Sequence, residues 1–442
     1  MNNFTKLGFI MATVGAAVGL GNIWKFPYMV AEQGGGAFVL IYLFTIVFVG
    51  ISVLIAEMLI GYLGRGDVGQ SFEVLATKNK YLWGKSVFMA FTGLFILTFY
   101  SVVIGWIVRY IFLSFGSLPV GIENSKELFE SFLSSDFIPQ ISFHTLAFIV
   151  VAFIVIKGIK SGIEKANYFL MPVLMLIIFG LFVYSISLDS FSTSLSFIFN
   201  PDFSKLNSDV MLSAVGHAFF TISLGMGTIL TYSASLPKKT NIVKASFWVA
   251  FFDTAVALFA GVMIYAFLFS YTSEANSGPG LVFISLPVVF ESFGVLGNFL
   301  SLIFFVGLFF AGISSAVSLL EPVVMYLIRV LKTSRAKAVI YSGLFFYIVG
   351  ILVIFSSIDS TKEYLTWGDK NLFDWIDHIT YLLLPLGGII MSLFVGFVLP
   401  RELLINTMKN QMNKVVFNVW IFNLRFIIPI ALIWMILDKV FS

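Results

Sequence analysis

Apolar residues along this chain fall into long runs that are separated by short polar breaks. Most runs hold about 20 residues, and a helix of that length crosses a hydrocarbon core about 30 Å thick. The run from Leu281 to Phe293 is too short and too interrupted to cross, so it predicts a re-entrant or capping hairpin in an outer loop. The eleven spans that we predict cover residues 7–30, 37–62, 86–116, 142–157, 165–187, 210–236, 243–271, 295–331, 336–357, 376–399 and 416–437.

Composition supports a polytopic, all-α membrane protein that forms a single integral membrane domain over residues 1–442. Hydrophobic residues make up 59% of the chain and charged residues 11%, with a mean hydropathy of +1.00. Soluble globular domains do not have such a composition. The first run lacks a basic leader and a cleavage site, so it is not a signal peptide. The absence of cysteine excludes disulfides, iron–sulfur clusters and thiol catalysis.

Basic residues concentrate in the loops on one predicted side of the membrane. If the N-terminus is cytoplasmic, the positive-inside rule is satisfied and the odd number of spans places the C-terminus outside. We therefore expect a multi-pass protein of the cell's inner (plasma) membrane. The basic residues of the inner loops are Lys78, Lys80, Lys85, Lys157, Lys160, Lys165, Lys238, Lys239, Lys244, Arg329, Lys332, Arg335, Lys337, Arg401, Lys409 and Lys414, against Lys126, Lys205, Lys362 and Lys370 outside.

Two spans contain residues that interrupt a helix. The stretch VGAAVGLGNIWKFPY (Val14 to Tyr28) lies in the first span, and FFTISLGMGTILTY (Phe219 to Tyr232) lies five spans later. Irregular backbone within a membrane is tolerated where it lines a cavity, and paired broken helices indicate a transporter's binding site. Small residues that only allow close helix packing are the alternative. The carbonyls of an unwound segment can bind a cation, and the N-terminus of a half-helix can bind an anion. The two broken helices together therefore favour a zwitterionic amino acid bound with a small hard cation.

The motifs resemble those of the neurotransmitter:sodium symporters, in particular the bacterial amino-acid transporters. They are AAVGLGNIWKFPY, GGGAFVLIY, SLGMGTILTY, FFAGISSAVSLLEP and LLPLGGIIMSLFVG, and the resemblance extends from Thr5 to about Leu437. It implies a five-plus-five inverted repeat, about 7–187 and 210–399, followed by helix 11 at about 416–437. Helices 1 and 6 would be unwound at the midplane, and transport would proceed by alternating access around them.

The same resemblance implies two sodium sites. Both consist of oxygen ligands, which hard alkali cations prefer. The first would use the Ala17 carbonyl, Asn22, Thr221, Asp253 and the substrate carboxylate. The second would use the carbonyls of Gly15, Val18 and Ala311 and the hydroxyls of Ser314 and Ser315.

A substrate pocket and its gates are also implied by the resemblance. Tyr100 would donate to the substrate carboxylate, although an aromatic residue filling a helix interface is the alternative. Phe220 would cover the site, and Lys25 with Asp377 would form an outer charged gate, looser than the arginine gate usual in the family. Gly162 and Pro172 would let the fifth span unwind to release sodium inward. The pocket residues are Ala17, Gly21, Ile96, Tyr100, Phe220, Thr221, Ser223, Met226, Ser315 and Leu319.

Ionisable residues within membrane spans are candidates for function, because their burial is costly. Glu57 resembles a family glutamate that braces the unwound backbone. Asp253 stands where animal members commonly have an amide, which predicts chloride-independent transport. We hypothesise that Asp253, with His217, takes up a proton on the return step; a core histidine satisfied by a carbonyl is the alternative for His217.

The sequence thus favours a sodium-coupled symporter that imports a neutral, hydrophobic or aromatic amino acid. Its expected partners are the amino acid, sodium ions and the lipid bilayer, with no nucleic acid. An ion channel, a sodium-coupled transporter of another small zwitterion and a membrane enzyme are the alternatives. Nothing resembles a repeated selectivity filter, and no nucleophile–base set or metal spacing is evident. The family's N-terminal Arg-Trp latch is missing from MNNFTKLGF, and Arg329 stands where its acidic partner would be.

Overall fold

The computed structural model describes residues 4–272 and 280–441, and helices dominate that part of the chain. Short helices in the connections are Val68–Leu75, Ile122–Ser134, Phe191–Phe199, Leu281–Ser292 and Arg401–Met408. The helices that occupy the predicted spans are α1 (Lys6–Ala17), α2 (Gly21–Glu32), α3 (Gly36–Gly64), α4 (Lys80–Leu113), α5 (Phe137–Ile156), α6 (Ile159–Ser185), α7 (Ser208–Thr221), α8 (Thr228–Ala234), α9 (Ile242–Tyr271), α10 (Val295–Val330), α11 (Arg335–Phe355), α12 (Leu372–Val398) and α13 (Lys414–Asp438).

The predicted spans coincide with these helices. Nine helices in residues 4–272 and 280–441 are long and apolar enough to cross a membrane, and the bent pair α1 and α2 makes a tenth. The sixth predicted span is occupied by α7 and α8, which are too short to cross singly. Helix α5 begins at Phe137, ahead of the predicted residue 142, because a proline such as Pro139 is tolerated in a first turn.

Helices near the centre of the bundle are more buried than those at its periphery. In their most apolar windows, α4 is 78% buried and α10 is 72% buried, whereas α5 is 28% and α13 is 33% buried. Helix α10 packs against α4, α6 and α1, and α8 packs against α3. Apolar side chains on α5 and α13, such as Phe153 and Ile430, remain exposed and are suited to contact lipid.

Several helices contain a π-helical turn, a feature that often marks functional positions. One of these turns is Gly21–Lys25, at the start of α2, and another is Ile159–Glu164, at the start of α6. The connection before α12 contains β1 (Thr366–Trp367) and β2 (Lys370–Asn371), which pair antiparallel with Thr366 opposite Asn371. The helix Leu281–Ser292 is too short to cross a membrane and packs against α10, in agreement with the predicted capping hairpin.

Candidate functional site

The first helix break lies between α1 and α2, whose axes differ by 43°. Two backbone N–H groups freed by the break are satisfied by side chains: Gly19 N donates to Asn22 Oδ1 at 3.0 Å and Leu20 N donates to Tyr100 Oη at 3.0 Å. A Cβ atom at Gly19 would lie 2.7 Å from Tyr100 Oη, so only glycine permits this approach. The break is therefore held in a defined shape.

The second break lies between α7 and α8 and is braced by Glu57 of α3. Ser223 has φ +55° and Gly225 has φ +79°, which prevents the helix from continuing. The fully buried Glu57 carboxyl accepts Gly225 N at 3.4 Å and Leu230 N at 3.3 Å, at the N-terminus of α8. A carboxyl at a helix N-terminus stabilises the orphan N–H groups there.

The two breaks meet around a narrow central cavity. Ser223 Oγ donates to the Ala16 carbonyl at 2.8 Å, which joins them directly. Every predicted pocket residue borders this cavity. Sequence reasoning missed Ala16 and Gly19, which contribute mainly backbone. The residues that line the cavity are Ala16, Ala17, Gly19, Gly21, Ile96, Tyr100, Phe220, Thr221, Ser223, Met226, Ser315 and Leu319.

The cavity has a polar part and an apolar part. Tyr100 and Ser315 provide hydroxyls beside the first break, whereas Ile96, Met226 and Leu319 provide apolar surface. None of the described side chains that line it is Asp, Glu, Lys, Arg or His. Such a cavity can hold a small zwitterion with an uncharged side chain, because a charged side chain would find no partner.

A first cluster of oxygens surrounds Asp253 of α9, which is fully buried. Asn22 Nδ2 donates to Asp253 Oδ1 at 2.7 Å and to its carbonyl at 3.0 Å. Asp253 Oδ2 accepts no hydrogen bond from the described residues, although the Tyr42 and Thr221 side chains adjoin the carboxyl. A buried, half-partnered carboxylate beside hydroxyl and carbonyl oxygens is suited to a hard cation.

A second cluster of oxygens lies between α1 and α10. Ser314 Oγ is 2.8 Å from the Gly15 carbonyl, and Ser315 Oγ is 3.3 Å from the same carbonyl and 3.4 Å from that of Val18. Ala311, buried on α10, lies one turn before the two serines. The two hydroxyl protons cannot satisfy all these oxygens, so a cation suits this cluster too.

His217 of α7 lies among aromatic rings. Its ring stacks on Phe26 at 5.9 Å and contacts Tyr42 at 5.6 Å. Neither ring nitrogen has a hydrogen-bond partner among the described residues, so the carbonyl-satisfied histidine is not what the structure contains. Tyr42 adjoins both His217 and Asp253, and provides the link between them.

One end of the central cavity is closed by Phe220, Lys25 and Asp377. Lys25 Nζ lies 3.5 Å from Asp377 Oδ1 and 4.8 Å from the Phe220 ring centroid. Phe220 borders the central cavity, while Lys25 and Asp377 line a wider cavity beyond it. The three residues proposed as gates are thus brought together, and we call this end the Asp377 face.

The opposite end, which we call the Arg329 face, is closed by two arginine–carboxylate pairs. Arg329 pairs with Asp67, and Arg335 pairs with Glu321. Sequence reasoning did not find these pairs, because Asp67 and Arg329 are far apart along the chain. At the same face Thr5, the residue before α1, donates from Oγ1 to Glu164 at 2.6 Å.

The segment predicted to unwind lies close to this face. Gly162 is part of the π-helical turn that opens α6, where it packs on a backbone carbonyl of α5. Pro172 lies inside α6 and removes one backbone donor from that helix. Gly162 thus lies in the π-helical turn and Pro172 in the regular helix that follows it, while the unwinding of this segment stays a prediction.

Broken helices around a central cavity, within a bundle of membrane-crossing helices, are the arrangement of a multi-span membrane transporter. The chain belongs to the Sodium:neurotransmitter symporter family, whose profile matches residues 2–132 and 133–442, and it is a sodium-dependent transporter, not an enzyme.

Similar proteins and a similar solved structure support this placement. An uncharacterized sodium-dependent transporter, YhdH of Bacillus subtilis, is 32% identical over 99% of this chain and 97% of its own. Another from Haemophilus influenzae is 30% identical over 99% and 97%. The crystal structure of MhsT in complex with L-phenylalanine matches with a TM-score of 0.91 and 37% identity, covering 99% of this chain and 100% of that one.

Proposed function

We propose that this protein is a symporter that imports a neutral amino acid with a hydrophobic or aromatic side chain, driven by sodium. The observation that carries the proposal is the uncharged cavity between the two helix breaks, flanked by two oxygen clusters. The Tyr100 hydroxyl and the backbone around Gly21 would bind the substrate carboxylate. Ile96, Met226 and Leu319 would surround its side chain.

The size of the side chain that the cavity accepts is a further part of the proposal. Met226 is adaptable, so the apolar part of the pocket could adjust to a large apolar side chain. MhsT, a similar protein of known structure, was crystallised in complex with L-phenylalanine. Another small zwitterion is the alternative substrate, and competition among the twenty amino acids distinguishes the two.

Two sodium ions would accompany the amino acid as co-transported substrates. The first would bind Asp253, Asn22, Thr221 and the Ala17 carbonyl next to the substrate carboxylate. The second would bind the cluster of Gly15, Val18, Ala311, Ser314 and Ser315. Because both clusters include residues of the first helix break, ion binding would stabilise the same segment that forms the pocket.

Alternating access would open the two faces in turn. In this proposal the Asp377 face is extracytoplasmic and the Arg329 face is cytoplasmic, with the N-terminus inside and the C-terminus outside. Repeats at about 7–187 and 210–399 would move against each other, and the segment between Gly162 and Pro172 would unwind to admit water to the second sodium site.

The decisive experiment is uptake into proteoliposomes against a concentration gradient. Sodium-driven accumulation supports a symporter, whereas a channel cannot concentrate an uncharged solute. Tyr100→Phe should weaken amino-acid binding, because the carboxylate loses its hydroxyl donor. Tyr110→Phe is the matched control, since Tyr110 is buried on the same helix and does not border the cavity. Sodium-independent uptake would contradict the proposal.

Chloride independence would follow from the carboxylate of Asp253, which supplies a fixed negative charge. Replacement of chloride by gluconate at constant sodium should leave uptake unchanged, and its disappearance would refute this point. Asp253→Asn should create a chloride requirement, while Asp359→Asn, at an exposed ion pair, should not.

Proton counter-transport is a separate hypothesis for the return step. Asp253 would bind a proton once sodium leaves, and His217 would be coupled to it through Tyr42. Substrate-dependent alkalinisation of the lumen of proteoliposomes, abolished by Asp253→Asn, would support the hypothesis. Transport without any pH change in the lumen would contradict it.

A further inference from the structure

Asn167 of α6 lies against the second oxygen cluster, although neither the sequence motifs nor the gates include it. The residue is 1% exposed and lies between Gly162 and Pro172. Its Oδ1 is 2.6 Å from Ser314 Oγ, and a Cβ atom built at Gly15 would meet the same amide. A polar side chain is thus buried where α6 meets both α1 and α10.

The orientation of the Asn167 amide is set by its second contact. Nδ2 donates to the Ile163 carbonyl at 2.9 Å, within the π-helical turn Ile159–Glu164. The reversed amide would place two carbonyl oxygens against each other, so the hydrogen-bond network assigns Oδ1 to the side of Ser314. Asn167 therefore presents an oxygen, and not a donor, to the cluster.

The cluster contains more oxygens than its protons can serve. Ser314 has one hydroxyl proton, but both Asn167 Oδ1 at 2.6 Å and the Gly15 carbonyl at 2.8 Å lie within hydrogen-bond distance of its oxygen. If the Ser314 proton goes to one of these two oxygens, the other oxygen faces a lone pair of Ser314 Oγ in a buried environment. Such repulsion is costly, and a cation relieves it.

We infer that Asn167 contributes an oxygen to the second sodium site and withdraws it when the start of α6 unwinds. The inference rests on the proposed second sodium site. One amide would bind the ion through Oδ1 and the turn through Nδ2. Unwinding of Ile159–Glu164 would remove the Ile163 carbonyl from Nδ2, and the freed side chain would leave the ion. Sodium affinity and inward opening would thus be linked through a single residue.

The test measures how sodium supports amino-acid binding to the purified full chain. The sodium concentration is varied by replacing potassium with sodium at constant ionic strength. Binding is measured with radiolabelled L-phenylalanine. Asn167→Ala should raise the sodium concentration for half-maximal binding about tenfold, the effect expected for a lost oxygen at a metal site. Affinity for the amino acid at saturating sodium should stay within about twofold of wild type.

Asn167→Asp separates a sodium ligand from a purely structural residue. Aspartate keeps the oxygen but loses the donor to Ile163, so half-maximal binding should need no more sodium than in wild type. A structural role through Nδ2 would make Asp as damaging as Ala. Asn298→Ala is the matched control, since the side chain of that asparagine of α10 donates to the carbonyls of Ser114 and Gly116, away from the site.

Protein stability provides a second readout if a variant binds no amino acid. Sodium alone should raise the Tm of wild type and Asn167→Asp, and raise that of Asn167→Ala much less. Equal sodium responses in all three proteins would overturn the inference. If wild type itself shows no response to sodium in either assay, the proposed symport fails instead, so the two failures are distinguishable.

Discussion

The two ends of the transport path are closed by different kinds of ion pair. At the Asp377 face, Lys25 and Asp377 approach to 3.5 Å and the aspartate side chain is 37% exposed. At the Arg329 face, the side chains of Asp67 and Glu321 are 1% and 0% exposed, and each pairs with an arginine. Removing the partner of a buried carboxylate costs much more free energy than removing the partner of an exposed one.

The difference predicts unequal costs of opening. A lysine offers a point charge on a flexible stem, whereas an arginine offers a planar fork that binds both carboxylate oxygens. Arg335 uses that fork, since Nη1 reaches Glu321 Oε1 at 3.0 Å and Nη2 contacts Oε2. The Asp377 face should therefore open at a small cost in free energy. The ion pairs of the Arg329 face should separate only when bound ions and substrate supply part of that free energy.

The largest effect should come from Glu321→Gln. Loss of this charge leaves Arg335 without its charged partner. Breaking a buried ion pair costs about 3–5 kcal/mol of stability. We expect a value near the lower end, because the Arg335 side chain is partly exposed. The Arg329 face should open more often. Because the chain has no cysteine, Met325→Cys in the cavity at that face can report opening through its rate of reaction with a thiol reagent.

We expect the reaction of that cysteine to accelerate more than tenfold, since about 1.4 kcal/mol already corresponds to a factor of ten. Asp359→Asn, which breaks the exposed pair with Lys362, serves as the control and should leave the rate unchanged. An unchanged rate in Glu321→Gln would mean that the buried pair does not hold this face closed.

The sequence and its family resemblance were sufficient to predict the helices and most residues that line the central cavity, but not the pairs at the Arg329 face. Apolar runs and glycine-rich patches are local signals, so they located the breaks at Gly19 and Gly225. The contact of Asp67 with Arg329 depends on how distant helices pack. No local sequence pattern indicates this contact. In the sequence, Asp67 looks like an ordinary N-cap of the helix Val68–Leu75, and it does cap that helix.

Asn167 illustrates the same limit within the candidate site. The motif match supplied Ser314 and Ser315, because both lie in a stretch that resembles the family's. Asn167 lies on another helix, and only the packing of α6 against α1 and α10 brings its amide to Ser314. One polar residue among several near the start of α6 was the available signal, and by itself it does not identify a partner.

An intermediate effect should follow from Pro172→Ala, in the segment close to the Arg329 face. Alanine restores a backbone donor to α6 and removes the ring, so the helix resists unwinding more strongly. Turnover of sodium-driven uptake should fall about threefold while amino-acid affinity is unchanged, because only release is slowed. Pro139→Ala, in the first turn of α5, is the control. Unchanged turnover would argue against unwinding of this segment as a step in release.

The smallest effect should come from Lys25→Arg at the Asp377 face. A guanidinium can bind both oxygens of Asp377 and stack on Phe220, whose ring already lies 4.8 Å from Lys25 Nζ. The gate should then resemble the pairs at the opposite face, and bound amino acid should leave to the outside about twofold more slowly. Lys370→Arg, elsewhere in the same cavity at the Asp377 face, should not change this rate. Faster dissociation would mean that the guanidinium does not fit between Phe220 and Asp377. The smaller ammonium of Lys25 would then be required for closure of this face.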